Sequence, residues 1–180
     1  MNTKTKQLTV TAMMLALCIL SQFFKNASVF FTGTVVNLTI IICTLYNGFF
    51  YGTILAVITP ITAFLITGAP LIAACPLIMP CIMLGNEAMV VAASISRGRK
   101  KEHILLPVSL TAGAFVKAVV MALLILEVVI PVFGTTLKDA QKAAAQTAYS
   151  TTQLITALIA AALACIIWRV LKIAVRKQDM

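Results

Sequence analysis

The chain has 180 residues, 61 % of them hydrophobic and 11 % charged, with a mean hydropathy of +1.05 and a net charge of +9. That composition excludes an ordinary soluble domain, and it turns the positive charge from a nucleic-acid signal into a question of which loops hold the Lys and Arg residues. One helical crossing takes roughly 17–25 mostly apolar residues, so the length allows about six, and the expected class is an all-α integral membrane protein forming a single membrane domain over residues 1–180.

The first apolar run, 8–24, follows MNTKTKQ and resembles a signal peptide. No small-x-small cleavage site precedes Lys25, so it reads as a permanent span. It carries the small-xxx-small pattern Ala12-Met-Met-Leu-Ala16. The segment KNASVFFTG at 25–33 reads as a short loop, whose Val29, Phe30 and Phe31 either dip into the membrane interface or cover something. The next apolar run is too long for one crossing. Tyr46-Asn47-Gly48 supplies a turn in its middle and divides it into spans at 33–47 and 48–67. Gly48-Phe-Phe-Tyr-Gly52 repeats the small-residue spacing of span one. Both patterns lie toward the same end of their spans, where they either pack on each other or present a groove to a partner.

After a turn at 67–74, TGAPLIAA, the fourth span covers 75–96 and contains Asn86 and Glu87. A basic loop, RGRKK, leads past a solvated His103 into the fifth span, 104–128, which contains Lys117. PVFGTTLKDAQKAAAQ, 131–146, is polar enough to lie at the surface, with a helical part after Asp139. The sixth span, 148–170, carries Gln153 and the small residues Ala157, Ala160, Ala161 and Ala164.

Placing both termini in the cytoplasm puts ten basic residues inside: Lys4, Lys6, Arg97, Arg99, Lys100, Lys101, Arg169, Lys172, Arg176 and Lys177. Three fall outside, Lys25, Lys138 and Lys142. This is the positive-inside asymmetry, and it requires an even number of crossings.

Two ionisable residues lie well inside spans. Glu87 is 12 residues from the outer start of span four at Cys75, and Lys117 is 11 residues from the outer end of span five at Val128. At about 1.5 Å per residue these antiparallel helices bring the two charges to nearly one depth, where an ion pair is allowed. A charge in a span costs roughly 2.5–3.5 kcal/mol on insertion scales and marks a cavity or a partner. With Asn37, Asn86 and Gln153, the pair describes a small-molecule site on the outer half of the bundle. Pro60, Pro76 and Pro80 free backbone groups in spans three and four, which neighbouring helices or cavities must satisfy. Glu127, at the outer end of its span, has no assigned role.

No catalytic set, metal site or cofactor is expected. The five cysteines are scattered through apolar runs without a CxxC pair, no His stands at ligand spacing, and one Glu beside one Lys is a thin basis for an intramembrane enzyme.

The layout, with TAMMLALCILSQ at 11–22 and the GN of PLIMPCIMLGNEA at 76–88, resembles the substrate-binding S components of energy-coupling factor (ECF) vitamin transporters. The resemblance implies a multi-pass protein of the cell membrane that captures a vitamin or related micronutrient precursor. Delivery would depend on a transmembrane T protein and two ATPase subunits, in keeping with the absence here of a GxxxxGK[ST] phosphate loop. It further implies that Ala12 and Ala16 dock the T protein, as part of a small-residue surface with Gly48 and Gly52, and that 25–33, with Phe30 and Phe31, forms a lid. Spans four to six would supply most ligand contacts, the region that holds Asn86, Glu87, Lys117 and Gln153. The alternatives are an MreD-like membrane scaffold and a stand-alone small transporter.

Overall fold

Uninterrupted apolar runs give long helices, and the polar or glycine-bearing breaks between them give tight turns. The computed structural model describes residues 3–25, 27–135 and 137–178, with side chains as far as Ile173. Asn26, Thr136 and the side chains of Arg176 and Lys177, the last two counted above with the inner charge, lie outside the described residues. The helices are α1 (Thr3–Gln22), α2 (Val29–Asn47), α3 (Phe49–Thr67), α4 (Pro70–Ala74), α5 (Ile78–Ser96), α6 (Glu102–Ala122), α7 (Ile130–Phe133), α8 (Asp139–Tyr149) and α9 (Thr151–Gln178). A π-helical stretch, Leu123–Val129, joins α6 to α7 without a break in the rod.

Among the described residues five helical segments are long and apolar enough to cross a membrane: α2, α3, α5, the continuous rod Glu102–Phe133, and Asp139–Ile173. The helix of the expected first span, α1, stands outside that set. Large apolar side chains face outward along the bundle, among them Leu65, Val108, Ile166 and Val170, as expected of helices solvated by lipid.

Most boundaries shift by a few residues from the sequence reading, α9 for instance running on to Gln178, and three of the differences have a local cause. Ser28 caps α2 by accepting from the Phe31 N–H at 3.2 Å, so the helix starts at Val29 and the expected loop over 25–33 is cut short. The 67–74 turn contains a short helix that begins at Pro70, whose fixed φ suits a first helical position. The fifth helix runs on past Val128 to Phe133, because the apolar run continues to Gly134.

Packing is closest between α5 and α6, followed by α2 with α9 and α1. A Cβ at Gly113 would lie 2.4 Å from that of Ala92, and one at Gly85 would lie 2.5 Å from Met121 Cγ, so both helices need bare backbone where they cross. One apolar cluster joins Ile41, Leu45, Met89, Leu110 and Ala114 to the small face of α9 at Ala157, Ala160, Ala161 and Ala164. Another, around Ile72, Ile78, Met121, Ile125 and Tyr149, fills the end of the bundle that holds α4 and α8. Along α5 and α6 the gap between these clusters falls at Asn86 and Lys117.

At the other end Arg97 crosses to the C-terminus of α2, where its Nε donates to Leu45 O (2.9 Å) and its Nη2 to Tyr46 O (3.2 Å). Its charge meets carbonyls that have no partner within the helix. Glu102 is buried and clamps α6 to α9, accepting from Trp168 Nε1, from Lys172 Nζ at 2.6 Å and from Gly98 N at 3.3 Å. Nothing local to the sequence signals that clamp, since Lys172 lies 70 residues away.

Candidate functional site

The site is built on a proline. Pro60, inside α3, has no N–H to give to the carbonyl of Ala56 four residues earlier. Asn86 of α5 supplies the missing donor, its Nδ2 lying 3.2 Å from Ala56 O. The amide is thereby oriented with Oδ1 toward α6, where it accepts from Lys117 Nζ at 2.8 Å. The same ammonium donates to Asn37 Oδ1 of α2 at 2.6 Å, and Asn37 Nδ2 reaches Thr156 Oγ1 of α9 at 3.4 Å. One lysine held between two amides thus ties five helices together. Asn37, Asn86 and Lys117 are each at most 2 % exposed.

An ammonium has three donors, and two of those on Lys117 are used; the third has no partner among the described residues. Lys117 lines a cavity of about 170 Å³ together with Gln22, Lys25, Asn37, Thr59, Asn86, Tyr149 and Gln153, and with apolar contributions from Val36, Pro60, Ile72 and Ile82. Thr59 Oγ1 is buried without a hydrogen-bond partner. Lys25, in the connection between α1 and α2, reaches Thr67 Oγ1 at 3.4 Å, and burial holds its pKa below the ordinary lysine value. The wall is made by the α1–α2 connection, α2, α3, α4, α5, α6 and the α8–α9 junction, all toward one end of the bundle.

Residues 6–171 match the family described as ECF transporter, substrate-specific component. The chain belongs to that family. As an ECF substrate-specific component it is a transport subunit and a multi-pass membrane protein, made to work with T and ATPase subunits on a small-molecule substrate. No curated protein and no solved structure matches it.

In this substrate-specific component the residues singled out in the sequence divide clearly. Asn37, Asn86, Lys117 and Gln153 come together at the cavity, with Gln153 Nε2 also reaching Ala148 O at 3.4 Å. Glu87 does not join them. It accepts from Thr53 Oγ1 of α3 at 3.1 Å, its other oxygen is buried without a partner, and no ion pair links it to Lys117 among the described residues. Matched depth is only one coordinate. Consecutive helical residues point about 100° apart, so one of Asn86 and Glu87 can face Lys117, and it is the asparagine.

Of the expected lid region, the two phenylalanines are not among the residues that line the cavity. Phe30 and Phe31 stand in the first turn of α2, about half exposed, with Phe31 edge-on to Phe24 at 6.1 Å. From this region Lys25, Val29, Thr32 and Gly33 line the cavity.

The two small-residue patterns also part company. Ala12 and Ala16 are exposed on α1, beside the exposed Leu8, Met13, Leu17 and Leu20. Gly48 and Gly52 are buried. A Cβ on Gly52 would come within 2.1 Å of Thr44 Oγ1, and Gly48 takes a positive φ of 102° where α2 turns into α3 beneath the Arg97 guanidinium. These two glycines serve internal packing between the described helices.

Sequence reading missed Gln22, Lys25, Thr59 and Tyr149. For Thr59 a signal exists, a polar residue directly before a proline inside an apolar run. For the other three, at helix ends or in a connection, none separates them from solvated residues.

Proposed function

We propose that this protein is the substrate-capture subunit of an ECF-type ABC importer in the cell membrane, binding a vitamin or related micronutrient precursor in the cavity around Lys117. Its chain crosses the membrane six times, α1 included, with both termini cytoplasmic and the cavity toward the outside. A T protein docks on the exposed face of α1 at Ala12 and Ala16, and two ATPase subunits drive delivery to the cytoplasm.

The observation that carries this reading is a buried lysine with an unpartnered donor on the wall of a cavity, within a chain of the substrate-specific family. Burying a cation is costly, and register between helices can be set by apolar packing alone, so a ligand gives the lysine its purpose. The exposed Ala12–Ala16 face gives a second helix room to approach backbone closely, and its apolar surroundings suit a membrane partner.

The test is co-expression with a T protein and two ATPases. The protein should co-purify with them, retain a small molecule detectable by native mass spectrometry, and support ATP-dependent uptake in proteoliposomes. Uptake of that molecule by the protein alone, or failure to associate with any energising module, would overturn the reading.

A further inference from the structure

We infer that the substrate is a small organic anion, bound through a carboxylate. The inference rests on the capture role proposed above and adds the chemistry of what is captured.

Charge is the first argument. Two lysines line the cavity, and no Asp or Glu does so among the described residues. Glu87, adjacent to Asn86 in sequence, is turned to Thr53 and is not part of the wall. Lys117 is 2 % exposed and, among the described residues, is met only by two neutral amide oxygens, which take two of its three donors and leave its charge unpaired. Lys25 has a single long bond to a hydroxyl. A buried cation is favourable only when paired, and in this cavity the pairing charge has to arrive with the ligand. A cationic substrate would meet like charge from both lysines, and a neutral one would leave Lys117 without a counter-charge.

The donors are the second argument. The third N–H of Lys117 and the Thr59 hydroxyl are buried groups on the cavity wall without partners among the described residues. Leaving such donors unsatisfied is costly, and a carboxylate brings two acceptor oxygens to donors of this kind. Phosphate groups are more often met by arginine forks or by rows of backbone N–H groups, and among the described residues no arginine lines this wall. The remaining lining is mixed: Gln22, Gln153 and Tyr149 offer hydrogen bonds for the body of the molecule, while Val36, Pro60, Ile72 and Ile82 offer apolar contact. With about 170 Å³, below the roughly 300–1,000 Å³ of sites for drug-sized ligands, the substrate is vitamin-sized at most.

The experiment measures binding to the purified full-length protein of a panel of vitamin-sized carboxylic acids, each matched with its own uncharged form, such as nicotinate with nicotinamide and pantothenate with its alcohol. At least one acid should bind at least tenfold more tightly than its neutral partner. Lys117→Met should weaken that acid by about tenfold to a hundredfold, the scale of a lost charge-assisted hydrogen bond, and should weaken the neutral partner less, so that the ratio between the two falls. Lys25→Met serves as a second variant where Lys117→Met does not fold, and should reduce the same preference. If no acid outperforms its neutral form, or if the preference survives both substitutions, the carboxylate inference is overturned. Co-purification with the T protein and ATPases, scored in parallel, separates the two levels. Association with neutral-ligand binding defeats only this inference, and failure to associate defeats the capture role on which it rests.

Discussion

The dependence of Asn86 on Pro60 gives the most direct test of how the site is built. Asn86 does two things: its Nδ2 satisfies the Ala56 carbonyl that Pro60 leaves open, and its Oδ1 holds Lys117. Asn86→Ala should remove both. A buried carbonyl without a donor costs about 1–3 kcal/mol, and a hydrogen bond to a charged group contributes about 1.5–3 kcal/mol in soluble proteins. Within a bilayer, measured couplings between helices are smaller, averaging about 0.6 and reaching about 1.7 kcal/mol, because the unfolded chain finds other partners. Pro60→Ala restores an N–H to position 60, and the helix can then close its own bond to Ala56 O. In that background Asn86→Ala should lose only the Lys117 share. Reversible unfolding in detergent of wild type, the two single variants and the double variant should therefore give a coupling on the order of 1 kcal/mol, Asn86→Ala being the more harmful with proline present. Costs that add to within about 0.3 kcal/mol, the behaviour of independent sites, would refute the idea that the proline and the amide form one unit.

Three further outcomes follow from the same geometry. Ala12→Trp on the exposed face of α1 should abolish co-purification with the T protein and uptake while sparing ligand binding; retained association would defeat the docking assignment. Gly52→Leu should instead destabilise the protein itself by at least about 1–3 kcal/mol, read as a lower melting temperature in detergent, because even a Cβ there meets Thr44 at 2.1 Å; an unchanged melt with lost association would restore Gly52 to the docking surface. Exchanging the neighbours, Asn86→Glu with Glu87→Asn, brings a carboxylate to the Lys117 ammonium, and binding of the preferred acid should fall at least about tenfold in a folded protein. Undiminished binding would contradict the role given to the cavity's net charge.

How far the sequence could be read depended on whether a property lives along the helix axis or around it. Position along the axis is legible: apolar runs locate the long helices, and residue counting from Cys75 and Val128 puts Asn86 and Lys117 at a common level, where they meet at 2.8 Å. Rotation about the axis is not, because the hydrophobic pattern of a lipid-exposed helix does not distinguish its inner face from its outer one. Hence Glu87 could be matched with Lys117 in depth and yet face Thr53, and the spacing shared by Ala12–Ala16 and Gly48–Gly52 described one exposed pair and one buried pair. Local capping was readable in principle at Ser28, three residues before Phe31, but the apolar Val-Phe-Phe that follows looks equally like an interfacial loop. The contributions of Gln22, Lys25 and Tyr149 depend on where separate helix ends converge, which is a tertiary fact with no local trace.

Lys117 shows why the rotation matters for function. An ammonium at this depth paired with Glu87 would be a closed unit, neutral and with little left to offer a ligand. The one-residue offset sets the two charges apart: the carboxylate goes to the α3–α5 contact with a hydroxyl, and the lysine goes to a cavity with two amides. Those amides fix the lysine's position without neutralising it, since Asn37 and Asn86 are themselves tied to Thr156 and to the Ala56 carbonyl. A cation held in place before binding loses little conformational freedom when a ligand arrives, and one left without a counter-charge gains most from an anion. Under the capture role proposed above, the same three side chains make the empty bundle costly at its centre and an anion-bound bundle favourable, the energetic requirement for holding a solute tightly until a partner does work on the fold.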